Sequence, residues 1–215
     1  MQPNAVAFTD EPHTVQRLFD KRHMNIALLG SRGIPARYSG FETFYENLAR
    51  GLVARGHKVT VYNRSHFIKD FRKNYHGVRL VSLPCIQTKH LETISHTLLS
   101  TLHALTQSYD ICYYCIVGNA PLVSLPRLLG KKTLLNVDAE DWAREKWGRV
   151  ARAYQRQCER LAGRQANVVV ADAKWIQSRY KDNYGAKSVF APYGAHVERD
   201  EGINILSKWN LSPRR

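Results

Sequence analysis

The chain has 215 residues, with 32 Lys and Arg against 18 acids and a formal charge of +14. That length holds one sizeable domain with its own core and excludes much beyond it, while the charge points to an anionic partner: nucleic acid, a lipid surface or a phosphorylated small molecule. Residues 1–23 carry Pro3, Asp10, Glu11 and Pro12 and no sustained apolar run, which excludes a signal peptide or membrane span there and reads as a loosely held tail.

From residue 24 onward, short aliphatic runs alternate with helical patterns. MNIALLG (24–30), KVTVYN (58–63), VRLVSLP (78–84), ICYYCIVG (111–118), KTLLNVD (132–138), NVVVAD (167–172) and SVFAP (188–192) are the predicted strands. Several are apolar at consecutive positions, as strands covered on both faces should be. Phe41, Phe44, Leu48 and Leu52 recur at helical spacing before Gly56, and Leu91, Ile94, Leu98, Leu102 and Leu105 do the same before the fourth strand. A third helix, from about 142 to 165, takes Trp147, Val150, Tyr154, Cys158 and Leu161 as its core side, and a shorter one runs from about Ala173 to Tyr184. Alternating strands and helices imply right-handed crossovers and a doubly wound, Rossmann-like parallel sheet.

In such a sheet ligands bind beyond the carboxyl ends of the strands, where the strand order reverses. The segment GSRGIPARYSGFET (30–43) follows the first strand. Ser39 and Glu42 form a capping box that places the helix start at Ser39, next to an anion-ready terminus. Gly30, Gly33 and Gly40 fit neither the dinucleotide nor the P-loop spacing. They either let a backbone approach a ligand or only permit a tight connection; Arg32 and Arg37 favour the ligand. Gly118 and Asn119 after the fourth strand and Asp138 after the fifth are the other crevice candidates. Asp138 either serves in the cleft or caps a helix beginning near Asp141.

Cys85, Cys112, Cys115 and Cys158 lie in apolar or amphipathic segments, as reduced thiols do. Cys112 and Cys115 are three apart on a strand and so point to opposite faces. No second pair completes a zinc site, only His96 of the histidines at 90, 96 and 103 shares a face with His103, and no metal ligand or cofactor is assigned. Arg149, Arg152, Arg156, Arg160 and Arg164 share one helix face, either a solvated ridge or a contact for anionic lipid or a lipid diphosphate. No motif or aromatic-basic platform supports nucleic acid.

Three ordered blocks, GSRGIPARYSGFETFYENLARGLVARGHKVTVYNR, LLNVDAEDWAREKWGRVAR and VVVADAKWIQSRYKDNYGAKSVFAPYGA, resemble the N-terminal half of bacterial family 4 retaining glycosyltransferases of the GT-B fold, similar to capsule and exopolysaccharide rhamnosyltransferases. The resemblance covers about residues 24 to 195. It implies an acceptor-binding domain over 24–195, a tail over 1–23 and a linker over 196–215 toward a donor domain that this chain lacks. It implies a nucleotide-sugar donor bound through that other domain, a lipid-linked saccharide acceptor, an anionic membrane surface, a cytoplasmic place at the inner face of the plasma membrane and a possible donor-domain partner chain. Gly30, Arg32, Gly33, Ser39 and Gly40 match the family's glycine loop, and Asp138 stands where many members carry a histidine that contacts the donor sugar. The chain alone is expected to be inactive, and a truncated, non-catalytic homologue or binding subunit is the alternative.

Overall fold

The computed structural model describes residues 23–37, 40–69, 72–88, 91–138, 142 and 148–194. Their strands are β1 (Asn25–Leu29), β2 (Lys58–Arg64), β3 (Asn74–Tyr75), β4 (Val78–Leu83), β5 (Ile111–Cys115), β6 (Lys132–Val137), β7 (Val168–Ala171) and β8 (Ser188–Phe190). The helices are α1 (Gly40–Ala54), α2 (Glu92–Leu105), α3 (Ala120–Leu128), α4 (Arg149–Gln165) and α5 (Lys174–Tyr184). One sheet runs β3-β4-β2-β1-β5-β6-β7-β8, parallel throughout except for the short β3. The Rossmann-like reading of the sequence therefore holds, and the order reverses between β1 and β5.

Two apolar layers sandwich the sheet. Cys112 faces the layer under α2 to α5, whereas Cys115 faces the one under α1, so the two thiols do point to opposite sides. Burial pushes each thiol up to about 12, as expected for inert structural cysteines.

Two elements escaped the periodicity. Strand β3, joined to β4 by a turn at His76 and Gly77, both with positive φ, has only two residues, too few for an alternating pattern to register. Helix α3 contains Pro126 and has Pro121 in its first turn, residues that read as breakers. Pro121 sits where its missing N–H costs nothing.

Two helix faces differ from their expectations. Most of the predicted stripe of α2 is not the core side: Leu91, Leu98 and Leu102 are exposed, Ile94 packs against the core from a half-buried position, and His96, Thr97, Ser100, Thr101 and Ala104 are buried. Three of the buried polar groups have partners: Thr97 bonds the Thr93 carbonyl, Thr101 meets the Tyr114 hydroxyl at 3.0 Å, and His96 meets the Asn63 carbonyl, whereas Ser100 Oγ has none among the described residues. Small side chains let the helix lie close on the sheet, and satisfied hydroxyls carry little penalty.

In α4, Val150 is 86% exposed and Tyr154 is also exposed; the buried face is Gln155, Cys158, Glu159, Ala162 and Gly163. Glu159 tolerates burial because Trp142 Nε1–H, Arg179 Nε–H and the Tyr184 hydroxyl all donate to it, at 2.7, 2.7 and 3.1 Å. The helix is described from Arg149, and Trp147 lies outside the described residues.

Polar replacement of the leucine stripe checks the assignment of α2. Leu98→Gln and Leu102→Gln should each cost less than about 1 kcal/mol in urea unfolding, whereas Ser100→Leu should cost about 1–3 kcal/mol by overpacking.

Candidate functional site

Strand polarity brings the loops after β1, β2, β5, β6, β7 and β8 to one edge. At the reversal point the loop after β1 meets the turn after β5. A Cβ on Gly30, whose φ is +98°, would stand 2.8 Å from both Asn119 Nδ2 and the Cys115 carbonyl. Asn119 is fully buried and spends Nδ2 on that carbonyl at 2.8 Å, while its Oδ1 has no partner among the described residues. Gly118 turns its carbonyl to α4, accepting from the Tyr154 hydroxyl at 2.8 Å. The crevice floor and the first half of α4 are thereby joined.

Asn63, at the end of β2, is a residue that sequence reasoning passed over. Its side chain is fully buried, accepts the Ile34 N–H at 3.1 Å and donates to the Ile34 carbonyl at 2.9 Å. Gly33 makes this contact possible: its φ is +116°, and a Cβ there would lie 2.3 Å from Asn63 Oδ1. The polar residue closing a strand of apolar neighbours was the available signal. Arg32 lays its guanidinium over the Phe67 ring at 5.0 Å and gives its carbonyl to the Arg64 N–H. Arg37 is exposed on the loop.

Helix α1 starts at Gly40, and Ser39 of the expected capping box lies outside the described residues. Glu42 is buried in the first turn, where a carboxylate suits the helix dipole. Gly40 has open space around an added Cβ and borders a groove of about 470 Å³ with Thr43, Phe44, Asn47, Leu48, Pro192 and Tyr193 among its walls. Two members of the predicted core stripe, Phe44 and Leu48, thus serve as groove wall as well.

On the other side of the reversal point, β6 and β7 carry the polar groups. Val137 pairs with Ala171 in register, so Asp138 and Asp172, the next residue on each strand, lie at the same level. Tyr193, just past β8, reaches over them. Asn136 Nδ2–H donates to its hydroxyl at 3.2 Å, and its ring meets Phe44 at 5.0 Å and Phe41 at 6.1 Å. Burial, then the charges of Asp172 and Asp138, hold the Tyr193 phenol above its ordinary value. Asn136 is fully buried, and its Oδ1 and Asp172 Oδ1 have no hydrogen-bond partner among the described residues. The helix start near Asp141 that Asp138 would cap lies outside the described residues. The crevice thus combines an aromatic wall with convergent acceptors, the makings of a site for a polyhydroxylated ligand.

The arginines at 149, 152, 156 and 160 are all exposed on α4. Arg156 also stacks on the Trp142 ring at 4.5 Å. No helix among the described residues is long and apolar enough to cross a membrane.

Residues 39–194 match the family model of the glycosyl transferase 4-like domain. No curated protein matches the sequence. Among solved structures, the Arabidopsis thaliana enzyme UGT89C1 complexed with quercetin aligns with TM-score 0.55 and 14% identity, over 90% of this chain and 56% of that one. Anabaena HepE in complex with UDP and glucose aligns with TM-score 0.58 and 14% identity, over 87% and 50%. A sucrose-phosphate synthase structure from Thermosynechococcus elongatus aligns with TM-score 0.53 and 15% identity, over 80% and 90%. The chain spans about half the length of the first two, and at these identities the likeness concerns the fold.

Two substitutions distinguish the glycines. Gly33→Ala should lower unfolding free energy by more than about 1 kcal/mol, because φ and space are both wrong for a side chain, while Gly40→Ala should stay within about 0.5 kcal/mol.

His96, behind the Asn63 backbone, gives a pH signature. Burial lowers it from 6.5 to about 4, with Arg64 and His66 acting in the same direction and the Asn63 hydrogen bond and Glu92 against it. Between those values the unfolded chain binds a proton that the native one does not, so the contribution is complete above 6.5 and lost as pH falls toward 4. Wild-type protein should lose about 3 kcal/mol through this group over that window. Urea unfolding across the same window should show a shallower slope for His96→Gln.

Proposed function

The chain belongs to the glycosyl transferase 4-like family, and we propose that residues 24–195 are the acceptor-binding half of a retaining glycosyltransferase that builds bacterial surface polysaccharide. In this reading 1–23 is a tail, 196–215 leads toward a donor-binding half, and a nucleotide-sugar is held by that half on the same or a partner chain. The observation that carries the reading is the crevice at the reversal point: the aromatic wall of Phe41, Phe44 and Tyr193 beside Asn136, Asp138 and Asp172. Aromatic faces suit the C–H faces of a sugar ring, and carboxylate and amide oxygens accept its hydroxyls.

Asp138 is the residue assigned to the reaction. As an acceptor at the strand end it would orient the attacking hydroxyl, and the protein's contribution would be positioning rather than a covalent intermediate. Gly30, Gly33, Gly40, Gly118 and Asn119 shape the crevice. Arg32, Arg37, Ser39 and Glu42 belong to the same loop and helix start.

The acceptor is proposed to be a lipid-linked saccharide at the cytoplasmic face of the plasma membrane. The tie between Tyr154 and Gly118 supports this, since it sets the exposed ridge of Arg149, Arg152, Arg156 and Arg160 on the helix bordering the crevice. Basic side chains near an anionic surface contribute about 1 kcal/mol each, and they suit a diphosphate equally. A rhamnosyl donor is the finer part of the proposal and rests on the sequence resemblance.

Titration of the whole chain with a lipid-diphosphate saccharide in vesicles, and separately with nucleotide-sugars, tests the assignment. The acceptor should bind and the nucleotide-sugars should not, and Tyr193→Ala should weaken acceptor binding about tenfold, a loss of about 1.4 kcal/mol. Tighter binding of a nucleotide-sugar would reverse the assignment of the two halves.

A further inference from the structure

A second cluster of chemically versatile side chains lies at the same sheet edge but on the far side of β1. Strands β2 and β4 are neighbours with Arg64 paired to Leu83, and the Ser65 N–H still bonds the Leu83 carbonyl at 3.0 Å. His66 and Cys85, each two residues past its strand, are therefore brought level. The first residue of α2, Glu92, reaches the far side of the His66 ring.

Cys85 Sγ lies 3.4 Å from His66 Nδ1, and Glu92 Oε1 lies 3.2 Å from His66 Nε2. One donor atom from each residue falls within 4.8 Å of the other two, and all three side chains are half-buried. Arg64, whose side chain is 3% exposed, donates to Glu92 Oε1 at 2.8 Å and to Thr93 Oγ1 at 3.1 Å. The carboxylate is thus held in orientation from behind.

We propose that His66, Cys85 and Glu92 form a binding site for a borderline-soft divalent cation, Zn²⁺ foremost. The donor set decides the class. Mg²⁺ and Ca²⁺ take oxygen ligands, whereas one imidazole, one thiolate and one carboxylate suit Zn²⁺. Three protein ligands leave a fourth position open, and the half-exposed side gives the ion a path in.

Binding asks only for rotamer changes. His66 gives up bridging its two neighbours and presents one nitrogen, while Cys85 and Glu92 turn toward the same point. The Cys85 thiol gives its proton to solvent as the sulfur–metal bond forms. Arg64 then stands as the outer partner of a ligating carboxylate, the arrangement that orients ligands in metal sites. The cluster borders the glycine loop, since the Arg64 N–H donates to the Arg32 carbonyl and the Arg32 charge acts on Glu92. No ligand was assigned from the sequence because the three residues are scattered over residues 66–92 with no short spacing motif.

The test uses the full chain stripped with a chelator. Titration with Zn²⁺ against a chromogenic competitor should show one tight equivalent, and Co²⁺ should give a thiolate-to-metal charge-transfer band in the near ultraviolet. Cys85→Ser should abolish the band and weaken Zn²⁺ about tenfold or more, as should His66→Gln. Zn²⁺ should raise the unfolding midpoint of the wild type and leave that of Cys85→Ser unmoved. Glu92→Gln is a poorer probe, because it strips the buried Arg64 of its anion. A cobalt band that persists in Cys85→Ser, or Zn²⁺ affinity equal in the wild type and both variants, would overturn the proposal and leave the nine histidines of the chain as scattered weak sites.

Discussion

The buried amide of Asn63 is the constraint on which the crevice depends. It grips Ile34 through both backbone groups, and so fixes the path of the loop after β1 against the end of β2. Deep in the fold such an amide has no water to fall back on, so losing one of its two bonds would leave a buried polar group unpaired. Gly33 supplies the room. From the same residue, the backbone carbonyl of Asn63 receives His96 from α2, so one strand end holds both the glycine loop and the long crossover helix. The gap between β1 and β5 is set by these contacts and by the packing of Gly30 on Asn119.

This accounts for what the sequence disclosed and what it withheld. Seven of the eight strands were legible because each lies in a short aliphatic run, and the central ones are covered on both faces. The crossovers followed from their alternation with helices, and the reversal point followed from the fold. Which face a helix buries was a different matter. In α2 the leucines at 98 and 102 are exposed and the serine, threonines and histidine are inside, because close approach to the sheet rewards small side chains, and the hydroxyls of Thr97 and Thr101 reach a backbone carbonyl or Tyr114. Periodicity counts apolar residues and is blind to partners. In α4 the same blindness placed Val150 in the core, although Glu159, bonded three ways, occupies it.

The site was legible in outline only. Glycines with unusual backbone angles announce themselves, and Gly30 and Gly33 stand where expected. Of the residues that shape the wall, Phe44 read as an ordinary helix stripe and Tyr193 carried no signal of its own, and only the fold brings 44 and 193 within ring contact. Asp172 and Asp138 show the same limit: a register, Val137 opposite Ala171, is what makes two carboxylates neighbours. No spacing in the chain carries that information, because the residues are joined by a helix and by the sheet rather than by local sequence.

Charge separates along the molecule in a way that the total of +14 conceals. A purely anion-binding crevice would concentrate guanidinium groups at the glycine loop, yet Arg32 is stacked on Phe67 and Arg64 is committed to Glu92. The groups that face one another across β6, β7 and β8 are instead a tyrosine, an amide and two carboxylates. Such a surface repels phosphate and accepts hydroxyl protons, so it suits the uncharged part of a ligand. Exposed cations include Arg37 on the glycine loop and the row of arginines on α4, whose Tyr154 hydroxyl ties that helix to the crevice floor. The aromatic wall and its acceptors therefore suit the neutral ring of a ligand better than a phosphate group, because ring faces and hydroxyl acceptors offer a phosphate nothing to pair with.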